Sequence, residues 1–153
     1  MARLLIVEHS QTGGTAAMAD AVAKGAADPQ IGSTELRRVE ALNASVDDVL
    51  WADGYILGTP ENFGYMSGAI KHFLDTVYYP VGDRTKGRPY ALFVKAGNDG
   101  TGAVTAVQRI VTGLGWKPAQ SPVIVVGDLT ANHLRAARDL GMAIAAGLEL
   151  GLY

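Results

Sequence analysis

The chain opens with an uninterrupted apolar run, Leu4-Leu5-Ile6-Val7, bounded by charged Arg3 and Glu8. A run of branched residues without alternation predicts a strand buried on both faces, as in a parallel sheet. Further strands are predicted at Thr34 to Val39, Gly54 to Gly58, Pro89 to Ala96 and Val123 to Val126. The second is more polar and reads as an edge. Pro118 and Pro122 restrict the start of the last one, which could otherwise begin at Trp116, to an edge or an interruption. Between these runs the apolar period changes from continuous to helical. Met18, Ala21, Val22 and Gly25 fall at i, i+3, i+4 and i+7 in a segment from Thr15 to Ala27 that Asp28-Pro29 ends. Ser45 starts a short helical turn that finishes near Trp51. Ser67 is placed to cap a helix carrying Ile70, Phe73, Leu74 and Val77. Tyr79 to Arg88 reads as a loop. Ala103, Val107, Ile110, Val111 and Leu114 mark a helix that stops at Gly113-Leu114-Gly115. The last helix begins at Thr130 and turns Leu134, Ala137, Gly141, Ile144 and Leu148 inward.

Strands that alternate with helices predict an α/β fold, a doubly wound parallel sheet with helices on both faces. The length suits one domain over residues 1–153, burying roughly 70% of the unfolded chain's surface. In a five-stranded sheet of order 2-1-3-4-5, strands one, three and four are adjacent at the centre. Ligands of such sheets bind at the carboxyl ends of the strands. The loops after those three strands carry Gly, Thr, Asn and aromatic residues, and they would form one site.

Composition narrows the class. Hydrophobic residues make up 48% and charged residues 18% of the chain, the balance of an ordinary soluble enzyme or carrier. A net charge of −2 gives no electrostatic case for nucleic acid or an anionic membrane. With no cysteine, thiol catalysis, disulfides and cysteine-bound metal are excluded. Leu4 to Val7 is too short for a signal peptide's apolar core, and no run approaches the ~20 residues that span a bilayer. A cytoplasmic location is the default expectation.

The stretch Ser10-Gln11-Thr12-Gly13-Gly14-Thr15 lies between the first strand and the first helix. Backbone N–H groups at a helix start converge on an anion, and the helix dipole favours negative charge there. The loop adds three hydroxyls and an amide but no lysine or arginine. A P-loop nucleotidase requires the lysine of G-x-x-x-x-G-K-[ST]. A dinucleotide fold requires G-x-G-x-x-G, a spacing that Gly13 and Gly14 lack. A response regulator requires an acidic pocket at the end of strand three, which here ends Gly58-Thr59-Pro60. Flavin mononucleotide (FMN) presents a phosphate dianion that undergoes no chemistry, so neutral donors suffice; each hydrogen bond to a charged group contributes roughly 1.5–3 kcal/mol.

Two motifs then carry a resemblance. Ser10-x-Thr12-Gly13-x-Thr15 resembles the flavodoxin fingerprint [ST]-x-T-G-x-[ST]. Gly58-Thr59-Pro60-Glu61-Asn62-Phe63-Gly64-Tyr65-Met66-Ser67-Gly68, with Lys71 and Phe73-Leu74-Asp75 following, is similar to the flavin loop of WrbA-type NAD(P)H:quinone oxidoreductases. The resemblance implies a flavodoxin-like fold and FMN as cofactor, with NAD(P)H as electron donor. It assigns Ser10, Gln11, Thr12, Gly13, Gly14 and Thr15 to the phosphate. It runs Thr59, Pro60, Glu61, Asn62, Phe63 and Gly64 along the isoalloxazine ring, with Phe63 or Tyr65 on or beside it. It sets Ala96, Gly97, Asn98, Asp99, Gly100 and Thr101 on the pyrimidine side. Ordinary loop packing is the competing reading of Phe63 and Tyr65, and a solvated charge that of Glu61.

Many carrier flavodoxins close the outer ring face with an aromatic residue in the third loop. None occurs between Ala96 and Gly102, so an open face is expected, suited to a nicotinamide and then a quinone in ping-pong order. Carriers are also usually strongly acidic, whereas this chain is nearly neutral. The implied reaction is two-electron transfer from NAD(P)H to a quinone or similar acceptor, the flavin carrying the chemistry and no protein nucleophile being needed. The alternatives are a carrier serving a redox protein and an interaction module without flavin. A homo-oligomer stays open, although the insertions that build the WrbA-type tetramer are not found in this sequence. His9 is either a plain loop residue or a neighbour of the phosphate or the ring. His72 and His133 read as surface residues with no metal spacing. Arg84, Lys86 and Arg88 read as a solvated basic turn, or as a site for the 2′-phosphate of NADPH. Trp51 fits a packing anchor, and Trp116 a core or ring-side residue.

Overall fold

The computed structural model describes residues 1–153. In chain order the elements are β1 (Arg3–Glu8), α1 (Gly14–Ala26), β2 (Glu35–Glu40), α2 (Val46–Trp51), β3 (Gly54–Asn62), β4 (Tyr65–Met66), α3 (Gly68–Val81), β5 (Pro89–Ala96), α4 (Thr101–Gly113), β6 (Lys117–Pro118), β7 (Val123–Val126) and α5 (Ala131–Glu149). The long strands are parallel in the order β2-β1-β3-β5, and β6 and β7 pair in turn with the outer side of β5. This is the predicted 2-1-3-4-5 sheet with two short additions. The edge position of β2 and the interrupted last strand match the sequence pattern.

The branched run of β1 is divided between two cores, because successive strand residues point to opposite faces. Leu5 and Val7 join Tyr55, Leu57, Phe73, Leu74 and Val107 beneath α2, α3 and α4. Leu4 and Ile6 join Met18, Val22, Ile56, Phe93 and Ile144 beneath α1 and α5. Glycine lets α1 and α5 touch backbone to backbone. A Cβ on Gly25 would stand 1.9 Å from the Arg138 carbonyl oxygen, and one on Gly141 2.0 Å from that of Val22.

Helix starts follow their capping residues. Ser45 and Asp48 form a capping box on α2, and the Ser67 hydroxyl accepts from the Ile70 N–H at the start of α3. Thr130 and His133 form a second box on α5, which gives the partly buried His133 a structural task. His72 is exposed.

Several expectations are corrected. β3 does not end at Gly58 but runs to Asn62 and folds back through β4, with Glu61 opposite Met66 and Asn62 opposite Tyr65. Pro60 is tolerated because pairing with β1 has ended at Gly58, so its missing N–H leaves no bond unmade on that side. α3 continues through Tyr79 and Pro80 to Val81, whose side chain is buried. The turn that follows is not simply solvated. Arg84 Nη2 donates to the Pro80 carbonyl at 2.5 Å. Arg88 Nη1 donates to the Leu50 and Ala52 carbonyls at 3.1 and 2.6 Å. Both guanidinium groups thus cap helix C-termini, where the dipole favours positive charge. Trp116 belongs to the core. Its ring stacks on Tyr55 at 3.8 Å, and its indole N–H donates to the buried Thr85 hydroxyl at 2.8 Å. Trp51 is half-buried, with the Arg37 guanidinium 4.0 Å from its ring centroid.

Candidate functional site

The loops after β1, β3 and β5 leave adjacent strands at their carboxyl ends, as the predicted order requires. Backbone contacts join them. The His9 N–H donates to the Gly58 carbonyl at 3.1 Å, linking the first loop to β3. A Cβ on Gly102 would stand 1.9 Å from the Gly64 carbonyl oxygen, so the β3–β4 tip rests directly on the first turn of α4.

In the first loop, Gly13 precedes α1 with φ 96°, a left-handed conformation that glycine adopts without strain. No side chain caps α1, so the N–H groups of its first turn face outward without a side-chain partner. Ser10 Oγ accepts from the Gly13 N–H at 3.1 Å, which fixes the loop and leaves the hydroxyl proton free to be donated. Gln11 and Thr12 are exposed, and Thr15 is buried beside them with no hydrogen bond from its hydroxyl within the chain. A single buried side-chain polar atom of the protein has no hydrogen-bond partner, and it is Nδ1 of His9, the residue before this loop.

The second loop is a two-residue hairpin. Phe63 and Gly64 take φ 53° and 68°, the signature of a type I′ turn. Phe63 is the one residue other than glycine with positive φ, and its side chain is wholly exposed at the tip. Thr59 is buried, its hydroxyl accepting from the Ser67 N–H at 3.0 Å and donating to the Pro60 carbonyl at 2.8 Å. Its side chain therefore closes the hairpin, and only its backbone is left for a ligand. Pro60, Glu61 and Asn62 are half-buried along the rising strand.

In the third loop Gly97, Asn98 and Asp99 are exposed, and Gly100 takes φ 77° ahead of α4. Asp99 Oδ1 accepts from the Thr101 N–H at 3.1 Å and from its hydroxyl at 2.9 Å. These bonds hold the carboxyl below its usual pKa and turn it toward its own loop. Ala96 does not offer a group here. Its methyl lies in an apolar cluster with Val94 and Ala103, and its carbonyl accepts from the Gly127 N–H at 3.0 Å.

One contributor was invisible locally. Lys95, near the end of β5, lays its stem against Gly14 at the start of α1, with Cγ 3.1 Å and Cε 3.3 Å from where a Cβ would stand. No sequence signal connects these positions; only the packing of α1 on β5 does. A surface concavity of about 480 Å³, lined by Met1, Asp53, Lys86 and Tyr153 among others, lies at the opposite end of the sheet. The loop cluster is instead an open edge with donors, turns and an aromatic tip, and nothing stands within 4 Å of the Cβ positions of Gly13, Gly64 and Gly97. Free hydroxyls and an uncapped helix start fit the phosphate of FMN, and the open glycine backbone fits the approach of a flat ring.

Residues 9–130 match the family described as NADPH-dependent FMN reductase. A flavodoxin of Aquifex aeolicus (strain VF5) is 35% identical over 112 residues, covering 73% of this chain and 60% of the relative. An NAD(P)H dehydrogenase (quinone) of Acidithiobacillus ferrooxidans is 34% identical over 93 residues, 49% of this chain and 46% of the relative. The chain therefore spans roughly half the length of the curated relatives it matches. Among solved structures, a flavodoxin from the domain Archaea superposes with a TM-score of 0.81 at 19% identity, over 96% of this chain and 99% of the other. A flavodoxin, WrbA-like protein from Agrobacterium tumefaciens gives 0.80 at 20% identity, over 98% and 99%. No helix is long and apolar enough to cross a membrane. With the family matched from His9 to Thr130 and the fold shared along nearly the whole chain, this protein is a flavodoxin-like member of the NADPH-dependent FMN reductase family.

Proposed function

We propose that this chain binds FMN across the three loops and transfers two electrons from NAD(P)H to a quinone or a similar small acceptor. The observation that carries the reading is the meeting of those loops at one sheet edge, around an α1 N-terminus that no side chain caps. Ser10, Thr12 and Thr15, with the N–H groups of Gln11, Thr12, Gly14 and Thr15, would hold the phosphate, and Gly13 would shape the turn. The backbone from Thr59 to Gly64 would run along the ring, and that from Gly97 to Gly100 beside its pyrimidine edge. FMN, when bound, supplies the two-electron chemistry, and the chain supplies binding, orientation and electrostatics. Both α1 and α4 begin at this edge, so their dipoles favour the negative charge a flavin brings. The exposure of Gly97, Asn98 and Asp99, in a loop without an aromatic side chain, supports access for a second small molecule.

The second reading is a flavodoxin-type carrier that passes electrons to a redox protein, favoured by the 35% identity to the Aquifex flavodoxin. Two measurements separate the possibilities. Purified protein mixed with FMN and freed of excess should keep the absorption of a bound flavin; a colourless product refutes both readings. The loaded protein should oxidise NADPH or NADH in the presence of benzoquinone, and absence of turnover with either donor selects the carrier. Thr12→Ala/Thr15→Ala should bind FMN at least tenfold more weakly, since each lost bond to a charged group is worth roughly 1.5–3 kcal/mol.

A further inference from the structure

We propose that Lys95 is the cation of the phosphate site, brought from β5 rather than from the loop, and that it makes the site select FMN over riboflavin. The inference rests on the reading of this edge as the FMN site. The first loop has no basic residue of its own. Lys95 pairs in register with Pro60 on one side and Val125 on the other, near the carboxyl end of β5. Two residues earlier Phe93 packs beneath α1 and α5, and strand alternation sends Lys95 to the same side.

Gly14 shows why the lysine can reach the loop. It is the first residue of α1, and its backbone is outside the left-handed region, so the conformation would accept any side chain. What crowds one is Lys95, whose Cγ, Cε and Cδ lie 3.1, 3.3 and 3.5 Å from the Cβ position, so that a side chain there would push the stem aside by a few tenths of an ångström. In a helix the Cα–Cβ bond tilts toward the N-terminus. The stem therefore crosses the open end of α1, and the ammonium is one bond beyond Cε.

Nothing in the chain neutralises that ammonium. Lys95 takes part in none of the ion pairs, and its ammonium makes no intramolecular hydrogen bond. The carboxylate of Glu8, at the end of β1, is held by Arg38 at 3.3 Å, and Arg38 also pairs with Asp20. A lysine beside a helix N-terminus has the wrong sign for the dipole. A half-buried lysine stem also loses rotamer freedom when it is held in place. Both costs are offset by a dianion bound against the first turn of α1, where it meets the ammonium and the helix N–H groups together. The glycine at position 14 and the lysine at position 95 thus pack as a pair, since a side chain at position 14 would displace the lysine stem from the helix start.

The test is a titration of the flavin-free protein with FMN and with riboflavin, followed by flavin fluorescence, in the wild type and Lys95→Met. Methionine keeps an unbranched stem over Gly14 and removes the charge. FMN should bind about tenfold or more weakly to the variant, the loss of one charge-assisted bond, while riboflavin affinity stays unchanged. Raising sodium chloride should weaken FMN binding to the wild type more than to the variant. Gly14→Ala should weaken FMN with the lysine still present, and Lys95→Gln repeats the comparison should Lys95→Met fail to fold. Unchanged FMN affinity overturns the proposal. So does an equal loss of both flavins, which would mean that the stem is only packing. Inorganic phosphate separates this inference from the reading beneath it. If the wild type takes no flavin, but phosphate raises its melting temperature and does not raise that of Lys95→Met, the flavin reading fails and the lysine's role stands. If phosphate has no effect on a wild type that takes no flavin, both fall.

Discussion

Gly102→Ala tests whether the site depends on direct contact between the second and third loops. Gly102 lies in the first turn of α4, and a Cβ there would stand 1.9 Å from the Gly64 carbonyl oxygen and 2.6 Å from its carbon. Real Cβ atoms keep beyond 3.0 Å, so the hairpin tip must retreat by at least about 1 Å. The obstacle is backbone, which cannot rotate away. Overpacking of this kind costs about 1–3 kcal/mol. The substitution also replaces a helical glycine, which returns up to about 1 kcal/mol. The expected balance is a destabilisation of up to about 3 kcal/mol, read from urea unfolding of the flavin-free protein. FMN affinity should fall by more than this stability loss would suggest, because the retreat moves Phe63 and Gly64 away from Gly97 to Gly100. Gly68→Ala is the matched control. It lies in the first turn of α3 with nothing within 4 Å of its Cβ position, and it should be neutral or stabilising without affecting FMN. A Gly102→Ala protein as stable as the wild type, with unchanged FMN affinity, would refute the coupling of the two loops.

Thr85→Val should cost about 1–3 kcal/mol in urea unfolding, because the buried indole N–H of Trp116 loses its acceptor. Phe63→Asn should stabilise the fold by about 1 kcal/mol, since asparagine accepts the left-handed φ of this turn at less strain; a lower melting temperature would count against the strain. Burial raises the phenol pKa of Tyr55, partly countered by Arg88, and burial alone raises that of Tyr90. Both stay neutral in the fold at a pH where the unfolded chain ionises, so their contribution is complete below about pH 10 and is lost as pH rises toward the folded values. Tyr90→Phe should shrink this alkaline loss, measured as the change in urea midpoint across pH 10, and an undiminished loss would refute the assignment to Tyr90.

Much of the candidate site was legible before the fold was known, because its signals are local. The three hydroxyls and paired glycines between Ser10 and Thr15 are the local pattern that suggests an anion site. The order of strands and helices then brings Thr59 to Gly64 and Gly97 to Gly100 to the same edge. The details that fail are those in which a residue's partner is distant in sequence. Arg88 looked solvated, but it reaches the carbonyls that end α2.

The sequence by itself determined the elements and their order. The apolar run of β1 requires two buried faces, and Ser45, Ser67 and Thr130 cap their helices from positions adjacent in the chain. Periodicity and capping act within a turn or two, so they can be read without knowing what lies across the sheet. Only the tertiary structure decided the rest. A phenylalanine in a left-handed turn is not foretold by its neighbours, and the hairpin it belongs to rests on Gly102 of α4. Gly14 looks like loop flexibility in the sequence, yet its backbone is ordinary and its small size makes room for Lys95. That pairing depends on how closely α1 packs on β5, a distance set by the two cores together and by no stretch of sequence alone.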